Sequence, residues 1–152
     1  MALLCGREAL AARCLEYVIL TAVRSGEALG AIWGEIDLEA RVWTVPAHRM
    51  KAGVEHIVPL SDAAIGLLMT LRPETIKPAE RVFSVAGATR SNMAMTMLLR
   101  RMKAENVTVH GFRSTFRDWA GDATAYPRAD RGSACPYKRK QSRTCVPTWH
   151  GS

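Results

Sequence analysis

Three short β-like runs lie close together between residues 36 and 58, with helical periodicity on either side, and this constrains the fold more than any other feature. Ile36-Asp37-Leu38, Val42-Trp43-Thr44-Val45 and Glu55-His56-Ile57-Val58 read as strands, the last two joined by a loop that contains Lys51 and Gly53. Upstream, residues 7–23 read as a helix, because Leu10, Cys14, Tyr17, Val18 and Thr21 recur at helical spacing. Ser25 is placed to cap a following helix, with Glu27 in its favourable first turn and Leu29, Ile32 and Trp33 on one face. Downstream, Ser61 is expected to cap a helix to about Leu71, stopped by Pro73. Val82-Phe83-Ser84-Val85 reads as a short extended piece, and Ser91 as the cap of a helix bearing Met93, Met97, Leu98 and Met102. A last helix should run from His110 to about Ala120. Cys14, Trp33, Trp43 and the methionines from Met93 to Met102 are expected in the core. The expected fold is mainly α with a small antiparallel β-sheet, over residues 8–122.

A chain of 152 residues allows one domain with a real core. Residues 129–152 do not belong to it by pattern: they hold no Leu, Ile or Met and show no period of 3.6 or 2.0. The expected division is therefore a domain over residues 1–128 and an aberrant, disordered basic tail over 129–152. Of the net charge of +7, the tail carries +4 and leaves +3 on the body. A basic balance favours an anionic partner, nucleic acid being the commonest. Cys5, Cys14, Cys135 and Cys145 form no C-x-x-C pair, so no zinc site is expected. No apolar run reaches the length of a membrane span and no signal peptide opens the chain, which makes cytoplasm the default expectation.

The residues with chemistry to offer are two arginines, a histidine and a lysine, without a metal-ligand pattern: Arg24, Lys51, His110 and Arg113. Such a set suits a clamp on a phosphodiester. At about 100° per residue, His110, Arg113 and Arg117 share an arc of roughly 60° on their helix, while Phe112, Phe116 and Trp119 share another. The aromatic arc is expected to anchor the helix and leave the polar arc free. Taken alone, each residue has a plain reading: Arg24 and Lys51 solvated, Glu27 favouring its helix N-terminus, His56 structural on a strand and His48 exposed.

The motifs in order change that balance. Arg24-Ser25-Gly26-Glu27, Lys51 in its hairpin, and His110-Gly111-Phe112-Arg113, with Trp43-Thr44-Val45-Pro46 and Val58-Pro59-Leu60-Ser61 between them, resemble the catalytic domain of tyrosine recombinases, specifically prophage and genomic-island integrases. The resemblance covers roughly residues 8–128. It implies an incomplete tyrosine-recombinase-like catalytic domain acting on double-stranded DNA in site-specific integration and excision. Arg24 and Arg113 would bind the non-bridging oxygens of the scissile phosphate, for which a forked, permanently charged group is suited. Lys51 would protonate the leaving 5′ oxygen, and His110 would assist proton transfer. No metal or cofactor is implied, since the arginines neutralise the charge.

The family also calls for a second histidine (or Trp) and, about ten residues later, a nucleophilic tyrosine. Tyr126-Pro127-Arg128 still resembles the family; Tyr137, after Cys135-Pro136, does not stand at the required spacing. Reading the tail codons one base out of phase permits Leu-Ala-His-Thr from Ala134 to Lys138 and Ala-Tyr-Arg-Arg-Gly from Cys145 to His150. That places a histidine and a tyrosine ten apart. A one-base frameshift shortly after Arg128 is therefore expected, and the start at Met1 leaves out the family's upstream DNA-binding modules. The chain is read as a catalytic-domain fragment without strand-cleaving activity of its own. A different class of function is a non-catalytic DNA-binding or interfering protein that pairs with intact recombinase protomers. A metal-dependent phosphoesterase using His110 has no convergent Asp/His cluster to support it.

Overall fold

The computed structural model describes residues 10–50, 52–85, 88–89, 92–104 and 106–123. Helix α1 (Leu10–Thr21) lies at the centre, in contact with α2 (Ser25–Leu29), α3 (Asp62–Leu71), α4 (Asn92–Arg101) and α5 (Val109–Ala123). Its central position follows from its composition: Ala12, Cys14, Leu15, Glu16, Tyr17 and Val18 are all buried, covering every side of the cylinder. A helix apolar around most of its circumference needs neighbours on all sides. Cys14 is a free, buried thiol whose pKa burial pushes up to about 12.

The sheet runs β1 (Ile36–Asp37), β2 (Val42–Val45), β3 (His56–Pro59), all neighbours antiparallel. Links this short leave no room for a crossover, so only hairpins are open to the chain. Trp43 stands between Ile36 and Val58 in register, and Trp43, Val45 and Val58 face the core. Tyr17 packs on Trp43 at 5.4 Å between ring centroids and on Phe83 at 5.3 Å, in tilted geometry, joining helix, sheet and the 82–85 segment. The Tyr17 hydroxyl is buried and has no hydrogen-bond partner among the described residues.

The mainly helical domain with a small antiparallel sheet is as expected, and Ser61 caps α3, its hydroxyl accepting from the Ala64 N–H at 3.3 Å. Several details differ. Ser25 is the first residue of α2 rather than its cap; Arg24 holds the cap position. Ser84–Val85 pairs with Ala88–Thr89 in a second small hairpin, β4–β5, where the sequence pattern predicts only a single extended piece. On α4 the buried stripe is Met95, Leu98 and Leu99, while Met93 and Met97 are exposed. On α5 only Phe112 of the aromatic arc packs on the core; Phe116 and Trp119 are 43% and 56% exposed and stack on each other. The expected cap Ser91, the cysteines Cys5, Cys135 and Cys145, the boundary at Arg128, and Tyr126 and Tyr137 lie outside the described residues.

Candidate functional site

α1 ends in a sharp reversal. The Thr21 hydroxyl donates back to the Tyr17 carbonyl at 2.6 Å, and Ala22 takes a left-handed φ of +52°. That conformation favours glycine and turns the chain out of the helix. Arg24 follows in extended backbone and opens α2. Its N–H donates to Glu27 Oε2 at 3.0 Å and its guanidinium donates to Glu27 Oε1 at 2.8 Å, so one carboxylate holds both ends of the residue. The Glu27 side chain is 7% exposed and that of Arg24 38%, so the pair has one buried and one partly solvated member.

Arg113 reaches the same place from the second turn of α5. Its guanidinium donates to the Ala22 carbonyl at 2.7 Å, two residues before Arg24. His110 sits on the first turn of α5 and is exposed; Thr108 caps that helix, its hydroxyl accepting from the Gly111 N–H at 3.0 Å. Arg117 is also exposed. Lys51 lies outside the described residues. Arg113 is thus brought to the end of α1, at a residue two positions before Arg24, with His110 three residues before Arg113 on the same helix.

Two further groups bear on this region: His56, expected to be structural on a strand, and Arg49, which the motif pattern does not single out. His56 opens β3 opposite Val45 and is half-buried. Burial lowers its pKa from 6.5; Glu27 acts the other way, and Arg113 and Arg24 lower it further. The imidazole therefore lies within electrostatic reach of both arginines and of the Glu27 carboxylate. Behind α2, Arg49 donates to both oxygens of Glu35 at 2.5 Å and to the Glu27 carbonyl at 2.7 Å. Glu35 also accepts from the Trp43 indole N–H at 3.0 Å. The Arg49 guanidinium crosses Gly30 so closely that a Cβ there would collide with it. The only hint in the sequence is position: Arg49 and His56 flank Lys51 in one hairpin. Among the described residues no group of three His, Cys, Asp or Glu side chains is placed to hold a metal ion, and no helix is long and apolar enough to cross a membrane.

The family model for the phage integrase family matches residues 6–120, and the chain belongs to that family. It is 47% identical over 62 residues to prophage integrase IntA of Escherichia coli (strain K12), covering 40% of this chain and 15% of that protein. It is 31% identical over 124 residues to prophage integrase IntS of the same organism, covering 75% of this chain and 31% of that one. The integrase of Shigella phage Sf6 is 32% identical over 124 residues, with the same coverage of 75% and 31%. The chain therefore spans less than a third of the length of these relatives. Among solved structures, the Tn1549 transposon integrase (residues 82–397) in complex with circular intermediate DNA matches with a TM-score of 0.60 at 15% identity, over 84% of this chain and 51% of that one. The fold is that of the tyrosine-recombinase catalytic domain.

Proposed function

We propose that this chain carries the phosphate-binding part of a site-specific DNA recombinase, working in DNA integration through Arg24, Lys51, His110 and Arg113. The observation that carries this reading is the hydrogen bond from Arg113 to the Ala22 carbonyl, two residues before Arg24, in a member of the phage integrase family. Two forked guanidiniums suit the two non-bridging oxygens of a phosphodiester, because each offers paired donors and neither loses its charge. His110, exposed and three residues before Arg113 on α5, would act on an oxygen of the same phosphate, and Lys51, between β2 and β3 in the sequence, would protonate the leaving 5′ oxygen. Double-stranded DNA is the partner, and intact recombinase protomers are further partners; the setting is the cytoplasm.

The isolated chain binds DNA without cutting it, because neither Tyr126 nor Tyr137 stands ten residues after a histidine. A suicide duplex carrying the matching attachment site tests this directly. No covalent adduct should form, and Arg24→Met or Arg113→Met should weaken binding and flatten its salt dependence by about one unit per lost phosphate contact. A phosphotyrosine adduct at either tyrosine overturns the account of the nucleophile. Unchanged binding in both arginine variants overturns the site. Shifting the frame by one base after Arg128 should restore cleavage and raise the melting temperature; a restored chain that melts no higher argues against the frameshift.

A further inference from the structure

We propose that Arg49 is a positioning residue for Arg24: it fixes Glu27 from behind, and through Glu27 it sets the direction of the Arg24 guanidinium. This rests on the reading of Arg24 as a phosphate ligand, and extends it to a residue outside the expected catalytic set.

The geometry is a relay of hydrogen bonds through one residue. Glu27 is gripped at its carbonyl by Arg49 at 2.7 Å and grips Arg24 with its carboxylate at 3.0 Å and 2.8 Å. The other arm of the Arg49 guanidinium is spent on both oxygens of Glu35, whose carboxylate also takes the indole N–H of the fully buried Trp43. The relay thus begins at the core side chain that joins α1 to the sheet and ends at the partly solvated Arg24. α2 needs such a brace. At five residues it is too short to hold its own shape, and its direction must come from packing and side-chain bonds. Arg49 supplies two anchor points in a rigid plane, which a lysine does not. Gly30, at the end of α2, leaves the space through which the guanidinium passes, its Cζ at 3.1 Å from where a Cβ would stand.

The same tether reaches the hairpin. Arg49 ends the 3-10 turn Ala47–Arg49, two residues before Lys51, so binding Glu35 and Glu27 also fixes the chain at the entrance to that loop. A guanidinium already committed to Glu35 and the Glu27 carbonyl acts on a phosphate through Arg24 rather than by touching it.

The test uses the chain itself and a duplex of ordinary sequence, with binding measured over a KCl series. Gly30→Ala is the decisive variant, because it moves the Arg49 guanidinium without removing a charge. Gly30→Ala, Arg49→Met and Arg49→Lys should each weaken binding roughly tenfold, as Arg24→Met does, and lower the salt slope by about one. Combined with Arg24→Met, each should add little, since one contact is being lost by two routes. Losses that add to that of Arg24→Met, or an unchanged slope in Gly30→Ala, overturn the proposal. A second readout needs no DNA: the side-chain Nε–H signal of Arg24 in an NMR spectrum, sharp while Glu27 holds it, should broaden in Gly30→Ala with the far-UV spectrum unchanged. An Arg24 signal that stays sharp overturns the positioning role even where DNA binding is lost. If Arg24→Met leaves binding untouched while the NMR signal responds as expected, it is the phosphate-ligand reading that falls and the positioning that stands.

Discussion

The two arginines at the end of α1 are held by different kinds of structure. Arg24 is fastened to the buried carboxylate of Glu27, a residue whose backbone carbonyl is braced from the sheet side by Arg49, with Glu35 and Trp43 behind it. Arg113 comes from α5, a helix seated on the core through Val109 and Phe112 in its first turn, while Phe116 and Trp119 further along are exposed. The sheet-side region is a closed web in which removing one member leaves a buried charge or donor unmet. On the far half of α5, Phe116 and Trp119 are exposed rings, and truncating one of them removes little buried surface. The contrast shows that two arginines near one helix end can be set by unlike surroundings, one by a buried hydrogen-bonded web and the other by a helix packed through its first turn.

The sharpest way to break this contrast is a pair of tryptophans. Trp43→Ala removes a fully buried ring and the indole bond to Glu35, and should cost about 3–5 kcal/mol in urea unfolding. Trp119→Ala, on the exposed side, should stay within about 0.5 kcal/mol. Equal losses would mean that α5 is as deeply packed as the sheet.

Next in size is the turn between the two arginines. Ala22 is buried at a left-handed φ of +52°, and its carbonyl receives Arg113. Ala22→Val forces a branched side chain into that conformation and should cost about 2 kcal/mol. Ala22→Gly removes the backbone strain but frees the unfolded chain, so the two effects should cancel to within about 0.5 kcal/mol. A tolerated valine would show that the turn opens more easily than its buried position implies.

Glu27→Gln comes third. It leaves the shape in place and removes the charge that faces Arg24, and with Arg24 partly in solvent the cost should be about 1–2 kcal/mol. Arg24→Met combined with Glu27→Gln should recover part of that loss, because no unpaired partner remains. A double variant less stable than the sum of the two singles would count against a direct pair.

Tyr17→Phe should go the other way. Its hydroxyl is buried and has no partner among the described residues, so deleting it should leave stability unchanged or raise it by up to about 1 kcal/mol. A loss larger than that would reveal a partner for the hydroxyl.

The smallest effect is in the pH dependence of His56. Its folded pKa lies below 6.5, burial being the larger cause and the two arginines adding to it. In the window below 6.5 the unfolded chain binds more protons than the folded one, so stability falls as the pH drops through it and is fully present above 6.5. His56→Gln should flatten that part of the stability profile. A phosphate seated between Arg24 and Arg113 would offset their charge, so saturating DNA should move the His56 titration, followed by NMR, upward. A His56 titration that moves down on adding DNA would place the phosphate elsewhere.

Much of this architecture is written locally. The helical spacing of Leu10, Cys14, Tyr17 and Val18, the strand runs around Trp43 and Val58, the Ser61 cap and the motif residues Arg24, His110 and Arg113 are all visible in the one-dimensional pattern, because each depends on neighbours within a few positions. The same local rules misplaced the cap of α2. Ser25 is the better capping residue by type, but Glu27 is drawn to Arg24 and satisfies its N–H from inside the helix. They also assigned Phe116 and Trp119 to the core, because periodicity says which residues share a face and not whether anything packs against it. The meeting of Arg113 with Ala22 across 91 positions, the half-buried His56 among three charges, and the Arg49–Glu35–Trp43 brace come from chain segments that meet only when α1, the sheet and α5 pack together. A buried charge survives only where folding supplies its partner, and a partner that distant leaves no trace in local spacing.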